Sequence, residues 1–312
     1  MMFSKILLNW YKINSRDFPW RRTKDPYKIW LSEIILQQTR IEQGMPYYIK
    51  FIKRFPTIFH LAKSKEEVIF KLWQGLGYYS RASNLHFTAK FIVNKYNGEF
   101  PKSFVELKKL KGIGDYTASA IASICFDISE AVIDGNVFRF LSRFFGIDTP
   151  INTNLGFKIF KEKANKLIKG NSPGDFNQAI MDFGSIQCKP KNPNCKACIF
   201  STKCFALKNK KVEYYPQKKN NLELKTRFFN YLVIYNSKKQ IVLEKINRKG
   251  IWNKLYQFPL IESDKIINHP DNKFQEIIQK FSNEQSSQIT LINKKLIAHK
   301  LSHQKLIIQF WG

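Results

Sequence analysis

Four cysteines carry the strongest chemical signal in the chain: Cys188, Cys195, Cys198 and Cys204, spaced C-x6-C-x2-C-x5-C. Clustered thiols of this kind suggest a metal site where disulfides are not expected. Zinc accepts four thiolates readily, and iron–sulfur clusters take four cysteines at varied spacing, so the spacing leaves both open. The same loop carries Lys189, Lys191, Lys196 and Lys203. A metal-stapled loop presenting lysines suits a phosphate-facing structural role, and nothing in it points to redox catalysis. Cys125, alone in the apolar run ASAIASICF, reads as core.

Two carboxylates stand out next. Glu33 lies in WLSEIILQQT, and on a helix it would share a face with Ile29, Trp30, Leu36 and Gln37. An apolar surround raises a carboxyl pKa and suits a general acid, against the simpler reading of a surface glutamate. Asp134, in AVIDGNVFRFLSRFFG, sits at the mouth of a helix beginning near Val137. Amide donors there should keep it ionised; it or Asn136 could equally cap the helix, and a cap and a catalytic anion are compatible. One raised acid and one anion match the breaking of a glycosidic bond. That the two residues meet is something only the fold can show.

The elements that must position these groups read as helices from Lys5 to about Phe205. Apolar residues recur at helical spacing between short Gly- and Pro-containing turns. Asp25-Pro26 opens a helix running to Ile41. Further helices are expected at 46–54, 66–73, 80–96, 103–109, 115–125, 137–145, 155–168 and 175–183. Between two of them LKGIGDYTA at 110–118 makes a glycine hairpin. Gly112 and Gly114 permit a sharp turn, Ile113 can plug between the helices, and the free amides of the next helix can hold a phosphate oxygen. No strand precedes it, so a dinucleotide fold is a poor reading.

Beyond Phe205 the composition changes. A charged stretch without periodicity is followed by strand-like runs at 226–236, 239–246 and 255–260, a helix at 272–282, and strands at 288–297 and 305–311. The chain has 52 Lys+Arg against 24 Asp+Glu, a formal charge of +28. Such a field draws polyanions, nucleic acid first; a membrane surface or rRNA is the competitor. No secretory signal or membrane-length apolar run is visible, which implies a soluble, cytoplasmic, nucleoid-associated protein with no membrane partner.

Taken together these segments resemble adenine DNA glycosylases of the MutY type, in the helix-hairpin-helix glycosylase superfamily. The matching runs come in family order: FPWR at 18–21, DPYKIWLSEIILQQTRIEQ at 25–43, WQGLGYYSRASNLH at 73–86, LKGIGDYTASAIASI at 110–124, VIDGNVFRFLSR at 132–143, FNQAIMDFGSIQC at 176–188, then the cysteine loop. The resemblance implies a multidomain protein with an all-α helix-hairpin-helix core and an iron–sulfur loop, followed by an α+β Nudix-like domain. Residues 1–20 with 126–208 would form the iron–sulfur half and 21–125 a six-helix barrel. Residues 209–226 would be a linker and 227–312 the 8-oxoguanine recognition domain.

The resemblance also implies roles. The cysteines would hold one [4Fe-4S] cluster. Glu33 would protonate adenine N7 and later activate water. Asp134 would stabilise the sugar cation, with Tyr116 and Asn136 in support. Tyr116 stands where lyase-competent relatives carry a lysine, implying a monofunctional hydrolase. Gln38 and Tyr78 match residues that enter the helix around the lesion pair, and Gly112 and Gly114 would hold backbone. In the C-terminal module KGIWNKLYQFPL at 249–260 echoes the family, as does HKLSHQKL at 299–306, where Leu301 replaces a phenylalanine while Ser302 and His303 remain. No convincing catalytic Nudix box is present, which argues against nucleotide hydrolysis. The expected partner is duplex DNA with adenine opposite 8-oxoguanine or guanine, met by a monomer. The alternatives are a thymine or uracil mismatch glycosylase and a catalytically inactive DNA-binding protein. Endonuclease III-like strand cleavage is disfavoured by the missing hairpin lysine.

Overall fold

The helical periodicity of the first two thirds is realised as twelve α-helices in a computed structural model that describes residues 2–219, 224–248, 250–281, 288–301 and 303–312. They are α1 (Met2–Asn14), α2 (Pro26–Leu36), α3 (Ile41–Arg54), α4 (Ile58–Lys63), α5 (Glu66–Trp73), α6 (Ser80–Tyr96), α7 (Phe104–Lys109), α8 (Asp115–Phe126), α9 (Gly135–Phe145), α10 (Asn154–Ile168), α11 (Pro173–Ile186) and α12 (Phe205–Lys208). Chain contacts divide the protein into one unit up to residue 219 and a second from residue 220.

Local chemistry explains most helix starts. The Asp25 carboxylate accepts from the Tyr27 amide at 2.9 Å, and Pro26 occupies the first turn where no amide is needed. The helix it opens does not run to Ile41. It stops at Leu36, passes through a turn in which Gln38 is left-handed (φ 54°), and resumes as α3. No glycine or proline marks that break. It is imposed by a distant side chain, Arg81, whose guanidinium takes carbonyls at the end of α2. Three helices, α1, α4 and α12, were not among those individually anticipated; α4 and α12 are short.

The helices bury Trp30, Trp73, Phe51, Phe160, Phe176 and Phe183 completely. Each such side chain contributes about 1.5–3 kcal/mol by leaving water. Helix α1 packs on α10 and α11, and its Phe3 stacks on Phe140 and Phe200. The first helix thereby closes over the region where the cysteine loop ends.

The second unit is a four-stranded sheet of order β4-β1-β6-β5, built from β1 (Lys225–Leu232), β4 (Leu260–Ser263), β5 (Ile297–Lys300) and β6 (Gln304–Trp311). β1 and β6 run parallel and the other pairs antiparallel. A separate ribbon pairs β2 (Glu244–Lys245) with β3 (Tyr256–Gln257). The two-residue alternation of β1 sends Phe229 and Tyr231 to one face, and Leu232 to the other, where it meets Phe274 and Ile278 of α13 (Asn272–Gln279). The strand expected at 288–297 is broken. Thr290 and Ile292 bond the end of β6, but the Asn293 side chain then accepts from the Phe310 amide at 2.6 Å and interrupts the ladder. The run at 239–246 forms a strand only at Glu244–Lys245.

Candidate active site

Residues a hundred positions apart meet in one cavity of about 410 Å3, a volume in the range of small-ligand pockets. Glu33 enters from α2, Tyr116 from the first turn of α8, and Asp134 and Asn136 from the start of α9. Ile29, Leu36 and Gln37 share the cavity with Glu33 as the helical spacing predicts. Trp30 does not: it is fully buried and lines a different cavity behind α2. A face of three-and-four steps spans more than a narrow pocket can use.

Burial pushes the Glu33 carboxyl up to about 7, against the Tyr116 hydroxyl and the Arg21 guanidinium, which pull it down; the Asp134 charge adds to the rise. Tyr116 is itself pushed well above the usual phenol range by burial and by the Glu33 charge. Its hydroxyl also lies 3.3 Å from the Met181 sulfur. Glu33 is therefore divided between its two protonation states near neutral pH, as a group that first gives and then takes a proton should be.

Asp134 is the N-cap of α9. Its carboxylate accepts from the Val137 amide at 2.7 Å and from the Asn136 side-chain amide at 2.7 Å. The amide donors expected to keep it ionised are in place at Val137 and Asn136 and, with the Arg139 charge, pull its carboxyl down, but burial outweighs them and moves it upward from the ordinary value. Cap and cavity anion are the same group. Behind it, Arg139 donates to the Asn136 side-chain Oδ1 at 2.8 Å, to the Gly184 backbone carbonyl at 2.5 Å and to the Cys188 backbone carbonyl at 2.8 Å. A chain of hydrogen bonds thus joins the cavity carboxylate to the first cysteine of the loop.

Arg21 lines the cavity too, and sequence reasoning missed it although it ends the FPWR run. Asp182, fully buried, holds it through two bonds of 2.6 and 2.9 Å and binds Arg16 as well. Burial works against the Asp182 anion, yet the two guanidiniums together keep its carboxyl below the usual range. Arg139 and Arg81 were missed likewise. Each stands in a segment that sequence reasoning singled out, but only the fold gives it partners.

The remaining sequence-predicted residues fall in three places. Gln38 is exposed at the cavity rim, and Tyr78, left-handed (φ 47°) and exposed, projects from the turn before α6. Gly112 and Gly114 are exposed in the α7–α8 hairpin, with Ile113 buried between the helices as expected. Gly112 needs to be glycine twice over: its φ is +81°, and a Cβ there would lie 2.8 Å from the Asn84 Cβ. In the second unit His303 is exposed between β5 and β6, whereas Leu301 packs against the sheet cluster of Phe229, Tyr231, Leu306 and Ile308. Ser302 lies outside the described residues.

All four loop cysteines line one small apolar cavity with Phe140, Phe183, Phe200, Leu207 and Val212. Arg143 donates to the Cys188 sulfur at 3.6 Å, and the Phe200 amide to the Cys198 sulfur at 3.5 Å. Among the described residues, no three His, Cys, Asp or Glu side chains converge tightly enough to hold a single metal ion. No described helix is long and apolar enough to cross a membrane.

A glycine hairpin between helices, set beside a cavity that pairs a raised acid with a capped carboxylate, defines a class. Residues 31–166 match the model of the HhH-GPD superfamily base excision DNA repair proteins. The chain is 38% identical to an adenine DNA glycosylase of Buchnera aphidicola subsp. Baizongia pistaciae (strain Bp), over 99% of this chain and 85% of that protein. It is 40% identical to the adenine DNA glycosylase of Buchnera aphidicola subsp. Schizaphis graminum (strain Sg), over 90% of this chain and 84% of that protein. Among solved structures, a thermostable thymine-DNA glycosylase superposes with a TM-score of 0.62 at 32% identity, covering 67% of this chain and 96% of that one. An endonuclease III–DNA complex shares the fold, with a TM-score of 0.57 at 20% identity over 67% of this chain and 96% of that one. The chain belongs to the adenine DNA glycosylase family.

Proposed function

We propose that the protein hydrolyses the N-glycosidic bond of adenine in duplex DNA, acting where adenine faces 8-oxoguanine or guanine. The observation that carries the chemistry is Glu33 and Asp134 facing one cavity. The target base must leave the stack to enter it, at a cost that a mispair lowers. Protonated Glu33 gives its proton to adenine N7. The C1′–N9 bond then breaks with its electron pair going to the base, leaving a cationic sugar. The Asp134 carboxylate faces that cation and stabilises it by charge or by transient attachment. Glu33, now ionised, takes a proton from the attacking water, and the hydroxyl completes an abasic site. Asn136 holds the Asp134 carboxylate in place, and Tyr116 steadies Glu33. A phenol in the Tyr116 position forms no Schiff base, which supports a monofunctional hydrolase that leaves the strand intact.

A thymine-removing enzyme is the second reading, favoured by the thymine-DNA glycosylase likeness. That likeness covers 67% of the chain, whereas the adenine DNA glycosylase relative aligns over 99% of it, second unit included. The longer alignment supports adenine. The second unit would then serve as a Nudix-like recognition module with Ser302 and His303 at the 8-oxoguanine, a reading that rests on the resemblance of HKLSHQKL at 299–306. Release of free base from duplexes carrying adenine opposite 8-oxoguanine, guanine, cytosine or thymine tests both points. Release opposite 8-oxoguanine and guanine, faster for the former, is expected. Thymine release from a guanine mispair with no adenine release would select the second reading.

The cysteines fit a [4Fe-4S] cluster. A lone zinc ion draws four sulfurs to about 2.3 Å from one point, whereas in a cluster each cysteine binds its own iron. Four sulfurs lining one apolar cavity with Phe140, Phe183 and Phe200 support that second arrangement. Cys188, Cys195, Cys198 and Cys204 would hold the cluster, which would staple the loop and keep its lysines toward the DNA backbone. Chemical analysis of protein purified without oxygen should give about four irons per chain. Cys198→Ser should lose iron and lower the unfolding temperature. Zinc in place of iron would overturn the assignment. In this reading residues 1–20 with 126–208 form the cluster half, residues 21–125 form the barrel half, and a monomer works on DNA in the cytoplasm.

A further inference from the structure

We infer that Arg81 is a positioning residue that holds Gln38 and Tyr78, the two exposed residues that the resemblance implies enter the DNA helix, in one shared geometry, an inference that rests on the function proposed above. Both residues are left-handed without being glycine, at φ 54° and 47°, a conformation that costs about 1–2 kcal/mol for a side chain with a Cβ. Each persists only if the neighbouring peptide plane is fixed. One guanidinium reaches both, the Gly77 carbonyl accepting from the Trp73 indole N–H at 3.0 Å as well. Its Nη1 donates to the carbonyl of Gln37, the residue just before Gln38, and to Ile34, Ile35 and the Thr39 hydroxyl around the same turn. Its Nη2 donates to Leu76 at 3.2 Å and to Gly77, the residue just before Tyr78, at 3.3 Å.

The group is built for this and for little else. Arg81 is 8% exposed, and the partners named above are carbonyls and a hydroxyl rather than a carboxylate. Its guanidinium lies 5.1 Å from the Trp73 ring and 5.7 Å from the Tyr78 ring. Burial lowers its pKa only to about 10, so it stays charged at neutral pH. A buried cation needs such an acceptor set to be tolerated. The same side chain lines a cavity with Asn84 and with Lys111 and Gly112 of the hairpin.

Lysine keeps the charge at this site but presents one nitrogen, which cannot serve two turns from opposite ends of a planar fork. Arg81→Lys should therefore lose the wedge and keep the cavity. Adenine release from a duplex with the target opposite 8-oxoguanine and its neighbours paired should fall at least about tenfold. Release from the same 8-oxoguanine duplex with a mismatch beside the target adenine, where less stacking has to be broken, should fall less than about threefold. Fluorescence of 2-aminopurine at the target position, which rises on unstacking, should be lower in the Arg81→Lys complex than in the parent complex. Equal losses on both DNAs, or an unchanged rate on paired DNA, would overturn the inference. Absence of adenine release by the parent protein would instead defeat the functional reading, and the fluorescence comparison, which needs no bond breaking, would still decide the role of Arg81.

Discussion

Glu33→Gln should abolish base release and stabilise the protein at once. The loss should be about 100- to 10,000-fold in the single-turnover rate, the range for removing a general acid. The gain follows from proton linkage. Burial lifts the Glu33 carboxyl from 4.5 to about 7 in the folded chain, so the folded state binds the proton more tightly than the unfolded state. Its stabilising contribution is complete below pH 4.5 and is lost as pH rises through about 7. Above that, the folded protein carries a carboxylate in a place that disfavours it. Glutamine removes the charge and keeps the shape. Denaturant unfolding at pH 8 should show a gain of about 1–3 kcal/mol, reduced for the solvent that reaches the open cavity, and the gain should vanish near pH 4. The parent rate should fall about tenfold per pH unit above the Glu33 pKa. A Glu33→Gln protein that releases adenine normally would remove Glu33 from the mechanism.

The second large effect falls on Asp134. Asn is as good an N-cap as Asp, so Asp134→Asn should keep the Val137 bond and the start of α9. Unfolding free energy should stay within about 1 kcal/mol of the parent. The rate should nevertheless fall about 1000-fold, because a neutral amide cannot face a sugar cation as a carboxylate does. A further sign separates this loss from a collapsed site. The Asp134 charge raises the Glu33 pKa, so removing it should move the alkaline limb of the residual pH–rate profile to lower pH. An unmoved limb would mean that the two groups do not sense each other.

What the sequence disclosed, and what it concealed, divides along physical lines. The N-cap at Asp25, the buried Ile113 plug and the pairing of Glu33 with an apolar wall follow from residues near in the chain, where periodicity and capping rules act. That Glu33 and Asp134 face one cavity followed only from the family resemblance, since no local rule relates α2 to α9. The break after Leu36 was invisible for the same reason: Arg81, more than forty residues away, supplies the acceptor-satisfying group, and LQQT itself contains no helix breaker. Arg139 and Arg21 stood inside the very segments that drew attention, but an arginine shows its role only through what it reaches, here Asn136 and Cys188 for one and Asp182 for the other. In the second unit the strand pattern overran at 288–297, since a single side-chain bond from Asn293 ended a ladder that the apolar residues alone would have continued.

The central claim is hydrolysis at adenine, and one measurement addresses it most directly. A duplex with one adenine opposite 8-oxoguanine, labelled on the adenine strand, is incubated with the protein; free base is identified, and the strand is resolved before and after alkali. The account predicts free adenine in step with an alkali-labile site and an intact strand before alkali. A strand cut without alkali, or an unchanged duplex with protein whose cysteine loop is fully loaded with iron, would contradict it.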